Sequence, residues 1–295
     1  MTKFINRPAI RNAFSRYATK ERTPRALKGS RLLIEDAHGP QGLAGTAFDY
    51  LARAKTAAHF RGKTNRVIAN KMIAEECLER HGVFQESRLE ESLLYIFQRE
   101  FWEPLILSGI KNMNSFARTG RAKRELFFEA QYLAQVDLVT RSFDGPDPNF
   151  DASHRVSMEL EAMLDLFDPG IFECFGDRIE LNPRFAWGDV VGGADGDILV
   201  GDCLIELKAT KKLSVTGDYL RQLAGYAALD HLGRKRGKQC TDRPRINRVA
   251  IYFARHNQLV QLTLDELFPN DGFAKFCAEF EAEQKEPFSK RTKRK

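Results

Sequence analysis

Two carboxylates facing each other on neighbouring strands repel unless a cation or a proton sits between them. Residues 193–208, Gly-Ala-Asp-Gly-Asp-Ile-Leu-Val-Gly-Asp-Cys-Leu-Ile-Glu-Leu-Lys, set up such a pair. Gly201-Asp202 reads as the two-residue loop of a type II′ hairpin, and that loop fixes the register of both strands. Val200 then faces Cys203, Leu199 faces Leu204, Ile198 faces Ile205, Asp197 faces Glu206 and Asp195 faces Lys208. Because side chains alternate along a strand, Asp195, Asp197, Glu206 and Lys208 share one face, and Ile198, Val200, Cys203, Ile205 and Leu207 the other.

Opposed Cβ atoms lie only about 5 Å apart, so Asp197 and Glu206 together suit a divalent cation. Carboxylate oxygens are hard ligands, which favours magnesium or manganese with water and phosphate oxygens completing the shell. Lys208 points at the same place. The competing reading is a half-exposed hairpin whose solvent face is merely charged, with Asp195 and Lys208 as a weak surface pair.

The elements that must position this hairpin begin with a helical pattern over Val215 to Gly233, with Ser214 or Thr216 as N-cap and Gly233 as a stop. Its apolar stripe is Leu220, Leu223, Ala224, Ala227 and Leu232, while Gln222 and Tyr226 lie one turn apart on one face. In order and spacing, Asp197, then Glu206-Leu207-Lys208, then Gln222-Leu-Ala-Gly-Tyr226 resembles the PD-(D/E)xK nuclease superfamily, in its RecB-like branch with a Gln-x-x-x-Tyr helix. The likeness covers roughly residues 178 to 263. It implies a restriction-endonuclease-like α/β core, with a central mixed sheet flanked by helices in the order α-β-β-β-α-β. It further implies that Asp197, Glu206 and the carbonyl of Leu207 bind magnesium or manganese, that Lys208 orients the attacking water, and that Gln222 and Tyr226 hold the Lys208 region and the nucleic-acid backbone. Asp195 is the fallback for Asp197. A fainter likeness lies at Gly45-Thr-Ala-Phe-Asp49, where RecB-like relatives carry Gly-x-x-x-His; Asp49 replaces the His, and an ordinary helix start with Phe48 and Leu51 in a core competes with a metal role. Glu125, Glu129 and Glu159 are further helix carboxylates that could approach the site.

Around this core, a helix over Ala152 to Leu166 and strands over Arg178 to Trp187, Asn247 to Phe253 and Gln258 to Leu264 are expected. Upstream, Asn65 to His81, Ser87 to Leu107 and Gly120 to Thr140 read as helices, and Asp144 to Asn149 as a turn-rich boundary. The expected organisation is a basic N-terminal arm over 1–40, a mainly helical domain over 41–150, the nuclease core over 151–268, and a C-terminal helix with a basic tail over 269–295.

The chain has 295 residues and 43% hydrophobic content, enough for a large core. Its five cysteines, at 77, 174, 203, 240 and 277, form no Cys-x-x-Cys and no even framework, which argues against disulfides, secretion and an iron–sulfur cluster. Six histidines without ligand spacing argue against zinc. No apolar run approaches a membrane span and no signal peptide is evident, so no membrane contact and a cytoplasmic location are expected.

Net charge is +6, but it is unevenly placed: residues 1–28 carry eight Lys or Arg and one acid, and residues 285–295 carry six and one. Basic ends on an acidic body suit a protein that grips phosphates at its edges, although Lys290 to Lys295 reads equally as a solubilising tail. Pro8, Arg11, Arg16, Tyr17, Arg22, Pro24 and Arg25 suggest an extended arm. Arg118, Arg121, Lys123 and Arg124, with Lys211 and Lys212, are the candidate phosphate contacts outside the active site; cations at a helix start would oppose the helix dipole.

The resulting expectation is a magnesium-dependent deoxyribonuclease, endo or exo, acting on DNA in recombination, mobile-element processing or defence against foreign DNA, as a homodimer or with a partner protein on its helical part. Two alternatives stand beside it. One is a catalytically silent nucleic-acid-binding or regulatory module. The other is an enzyme using Asp195 and Asp197 as an acid/base pair on a small substrate, disfavoured by the absence of a Gly-rich phosphate loop or a nucleophile–base arrangement.

Overall fold

The structure, a computed structural model, describes residues 1–19, 31–35, 42–64, 66–72, 74–76, 93–142, 150–186, 188–191, 193–237 and 243–284. Arg22, Pro24 and Arg25, the start of the expected helix at Ser87, the boundary 144–149, Cys77, Cys240 and the tail 290–295 lie outside the described residues.

The helices are α1 (Thr2–Ile5), α2 (Pro8–Tyr17), α3 (Leu43–Arg61), α4 (Leu93–Thr119), α5 (Leu126–Ser142), α6 (His154–Leu166), α7 (Gly217–Lys235), α8 (Leu264–Leu267) and α9 (Gly272–Gln284). The strands are β1 (Val67–Ala69), β2 (Ile179–Leu181), β3 (Ile198–Val200), β4 (Cys203–Lys208), β5 (Arg248–Phe253) and β6 (Gln258–Thr263). Among the described residues they form one six-stranded α/β sheet in the order β1 to β6. Pairings are parallel for β1–β2 and β4–β5 and antiparallel for β2–β3, β3–β4 and β5–β6. From residue 154 to 253 the order is α-β-β-β-α-β, and α7 is the crossover that a parallel β4–β5 pair requires.

The hairpin has the expected register: Val200 pairs with Cys203, Leu199 with Leu204 and Ile198 with Ile205. Gly201 adopts φ 54°, a left-handed value that suits glycine at the first position of this turn. A Cβ there would stand 2.0 Å from the carbonyl oxygen of Phe175, inside the 3-10 helix Pro169–Phe175. Gly201→Ala is therefore expected to destabilise the protein by about 2 kcal/mol or more, read from urea unfolding, whereas an Ala that cost nothing would show that Phe175 yields freely.

Both faces of the sheet are covered, which overturns the half-exposed hairpin. On one face Ile198, Val200, Cys203, Ile205 and Leu207 join Ala250 and Tyr252 in a core with α3, α4, α5 and α6. On the other, Leu199 and Leu204 join Val249, Ile251 and Phe253 in a core with α1, α2, α7 and α9. On the hairpin this second face is thus apolar at Leu199 and Leu204, with its charged residues at the end away from the turn.

Several expectations are corrected. Residues 67–69 form strand β1 rather than part of a helix over Asn65 to His81: β-branched Val67 and Ile68 extend beside β2 in parallel. Pro8 to Tyr17 is helical rather than extended. Pro8 occupies the first turn, and Ile10, Ala13 and Phe14 form a buried stripe, with Phe14 against Phe268 and Phe276. The strand expected over Arg178 to Trp187 stops at Leu181, where Asn182 takes φ 52°. The helix expected from Gly120 starts at Leu126. The helix expected to end at Leu107 runs to Thr119, where Gly120 at φ 69° follows. Gly233 does not stop α7, which continues two residues to Lys235 before Gly237 turns left-handed at φ 63°.

No helix of the described residues is long and apolar enough to cross a membrane. Cys174, Cys203 and Cys277 are free.

Candidate functional site

The site forms where the β3–β4 hairpin opens, at the end opposite its turn. Here the first-face helix α3 and the second-face helix α7 both reach the sheet. Helix α3 approaches the end of β4 at Gly45, where a Cβ would sit in ordinary contact, 4.0 Å from that of Ala209. Thr216 caps α7 by accepting from the Tyr219 amide at 3.2 Å, which anchors the first turn of that helix beside β4.

The hairpin supplies three groups. Asp197 Oδ2 accepts from the backbone N–H of Leu207 at 2.7 Å, which ties the carboxylate across the strand pair. Glu206 is buried, and its Oε1 takes the ammonium of Lys208 at 2.6 Å. Lys208 Nζ also lies 4.9 Å from the centre of the Tyr219 ring, a cation–π contact that the sequence did not single out. Asp195 is exposed and its backbone pairs with that of Arg184 on the β2 side, whereas the Asp197 carboxylate is tied to Leu207.

From α7, Tyr226 is buried with its ring stacked on Phe185 at 5.2 Å, and its hydroxyl accepts from Gln222 Nε2 at 3.2 Å. Burial first, and the charge of Glu206 second, push the Tyr226 phenol well above its usual pKa, so it stays protonated. From α3, Asp49 lies within Coulombic reach of Asp197 and is ion-paired with Arg53 one turn on. The sequence offered Asp49 only through a faint likeness and did not single out Arg53. Their i,i+4 spacing was the available signal.

Three carboxylates, Asp49, Asp197 and Glu206, thus meet two cations, Arg53 and Lys208. Burial, then Glu206, then Asp49 raise the pKa of Asp197 well above the carboxylate range, against the opposing pull of Lys208 and the Leu207 amide. A carboxyl whose folded-state pKa exceeds its unfolded value of about 3.9 adds stability below that value and loses it as pH rises through the folded one. The metal-free protein should therefore melt at progressively lower temperature as pH climbs from about 4 toward neutrality. Asp197→Asn should flatten that decline and stabilise the protein at neutral pH by about 1 to 3 kcal/mol. Melting curves in EDTA test this; a parent profile that stays level while the variant melts lower would contradict it.

The donor set fits a hard cation. Asp197 Oδ1 and Glu206 Oε2 are the oxygens not engaged by Leu207 and Lys208 in the contacts above, and the Leu207 carbonyl lies between these residues in sequence. Among the described residues no three His, Cys, Asp or Glu side chains are grouped so that they could hold an ion.

The other candidates lie elsewhere. Glu159 is buried in an ion pair with Arg255. Glu129 accepts from Ser108 at 2.6 Å and from Asn112 at 2.9 Å, between α4 and α5. Glu125 is exposed. Lys211 and Lys212 are exposed in the loop following β4, close to the site in sequence. Arg118, Arg121, Lys123 and Arg124 are exposed at the α4–α5 turn, and the structure does not bring them to the carboxylates: Gly120 packs on Ala58, more than two turns along α3 from Asp49.

Comparison of the chain with protein-family models, with curated protein sequences and with solved structures finds no match.

Proposed function

We propose that this chain is a metal-dependent nuclease that hydrolyses phosphodiester bonds of DNA, built on a restriction-endonuclease-like core of the PD-(D/E)xK type. The observation that supports it most is the meeting of Asp197, Glu206 and Lys208 at one end of a central hairpin, with Asp49 adding a third negative charge. A bare surface hairpin would not bury like charges together, because removing carboxylates from water without a compensating cation is costly. The α-β-β-β-α-β order, and the position of Gln222 and Tyr226 on the crossover helix, are further support.

In this reading Asp197, Glu206 and the Leu207 carbonyl hold magnesium or manganese. When bound, such an ion polarises the scissile phosphate and lowers the pKa of water. Lys208 stays protonated. Burial opposes its ammonium, but Glu206 and Asp197 outweigh that and hold its pKa above the usual lysine value. It is placed to hold the attacking water and to offset charge that builds on the phosphate oxygens. Tyr219 limits the directions in which that ammonium can swing, and Tyr226, held by Gln222, lies within Coulombic reach of Glu206 from α7.

The test is cleavage of linear duplex, supercoiled and single-stranded DNA with magnesium, manganese or EDTA. Metal-dependent cutting by the parent, lost in Asp197→Ala, supports the reading. A parent that leaves every substrate intact with both metals refutes it.

A further inference from the structure

Beside the carboxylates, a cleft of about 200 Å³ opens between α3, α4 and the segment 69–72 that leads out of β1. Its volume falls below the roughly 300 to 1,000 Å³ of pockets that enclose a whole small ligand, so it suits part of a polymer passing through. Its walls include Arg53, Arg61, Lys71 and Asn114, over a floor of small residues that includes Ala57 and Ala117. Glu75, the one acid in the lining, is engaged by the Met72 amide at 2.7 Å and by Asn114 at 3.2 Å.

The cleft is joined to the site at one end and to the basic turn at the other. Arg53 borders it and also holds Asp49, so a single guanidinium connects the cleft wall to the carboxylates. Ala117 lines the cleft immediately before Arg118, from which the exposed cluster Arg121, Lys123 and Arg124 continues, and Gly120 packs on Ala58 of α3. From Asp49 to Arg61, α3 covers about 18 Å, the reach of a few nucleotides.

We propose that α3 is the track of a single strand of DNA, which runs from the carboxylate site through this cleft to the basic turn at Arg118 to Arg124. The proposal rests on the nuclease reading and names its substrate as a single strand. A cleft of about 200 Å³ has room for part of one strand and not for a duplex. The otherwise unexplained cations at the α4–α5 turn become its far anchor. Small residues on the floor let a sugar or base approach the helix closely.

The test uses full-length Lys208→Ala protein in EDTA, so that binding is measured without cutting, with labelled oligothymidylates of about three and about ten nucleotides and a blunt hairpin duplex. Expected are tight binding of the longer strand, and weaker binding of the short strand and of the duplex. Arg61→Glu with Lys71→Glu should weaken the long strand by at least about tenfold, and Arg121→Ala with Lys123→Ala and Arg124→Ala should lower the salt slope by about 0.7 per phosphate contact removed. Ala117→Trp fills the cleft without changing charge and should weaken the long strand by a similar factor. Lys275→Glu, exposed on α9 in the opposite layer, should have little effect. Retained binding with Ala117→Trp, an equal loss with Lys275→Glu, or a duplex held as tightly as the strand would overturn the track. A parent that cuts nothing yet passes these binding tests sinks the catalytic reading alone; a parent that cuts, while the cleft variants bind and cut like it, sinks the track alone.

Discussion

In the proposed nuclease, Lys208→Ala is expected to slow metal-dependent DNA cleavage by about a thousandfold, the loss seen when one preorganised electrostatic group is removed from a transition state. The ammonium stands 2.6 Å from Glu206 and faces the Tyr219 ring, so its position is fixed before substrate arrives. Its removal also leaves the buried Glu206 without its partner, and the metal-free variant should melt below the parent. Magnesium should narrow that gap in melting temperature, because a cation can take over the charge on Glu206, while cleavage stays lost. The two readouts separate roles: a variant that regains cutting as magnesium restores its stability would make Lys208 a structural counter-ion only. Steady-state cleavage and thermal melting across a magnesium series supply both.

Arg255→Ala is expected to destabilise the protein by about 3 to 5 kcal/mol, the usual result of removing one partner from a buried ion pair. Arg255 and Glu159 are each only 3% exposed, and the guanidinium does more than face one carboxylate. Its Nε donates to the Ala209 carbonyl at 2.8 Å and its Nη1 to the Glu35 carbonyl at 2.9 Å. One side chain therefore ties α6, the residue after Lys208 and the segment 31–35 to the end of β5. Loss of the tie at Ala209 should also loosen Lys208, so residual folded protein should cleave more slowly than the parent. Arg255→Met combined with Glu159→Leu removes both charges at similar volume and should recover most of the stability, since a buried pair is often replaceable by apolar packing. Urea unfolding checks both; a loss below about 1 kcal/mol for Arg255→Ala would show that water or another residue takes its place.

Arg255 illustrates a wider pattern in which charge alone misleads a reading along the chain. Glu159 was open to a metal role because it is a carboxylate on a helix ahead of the sheet. Only its packing against the end of β5 assigns it to Arg255. The N-terminal segment misled in the same way. Arg11 and Arg16 drew attention to an extended arm, while Phe4, Ile10 and Phe14 carried the information that decided its structure. Arg16 meets Glu279 at 2.7 Å and the neighbouring Arg7 meets Glu283 at 3.2 Å, so cations of this segment answer acids on α9.

What the sequence determined by itself is local. The register of β3 against β4 follows from a two-residue loop with glycine at its left-handed position, and the start of α7 was narrowed to a cap at Ser214 or Thr216, of which the structure uses Thr216. The placement of Asp197 beside Glu206 and of Gln222 beside Tyr226 needs only strand and helix periodicity. Tertiary structure decided the rest, because it depends on contacts between residues far apart in the chain. Alternation assigned one face of the hairpin to charge. The central position of β4 instead buries Leu199 and Leu204 on that face, and confines the charge to the end where the strands separate. Val67 to Ala69 become a strand only because β2 offers them an edge, roughly a hundred residues later in the chain. Asp49 comes within Coulombic reach of Asp197 because α3 packs against the end of β4 near Ala209, an approach that no spacing within the helix could reveal.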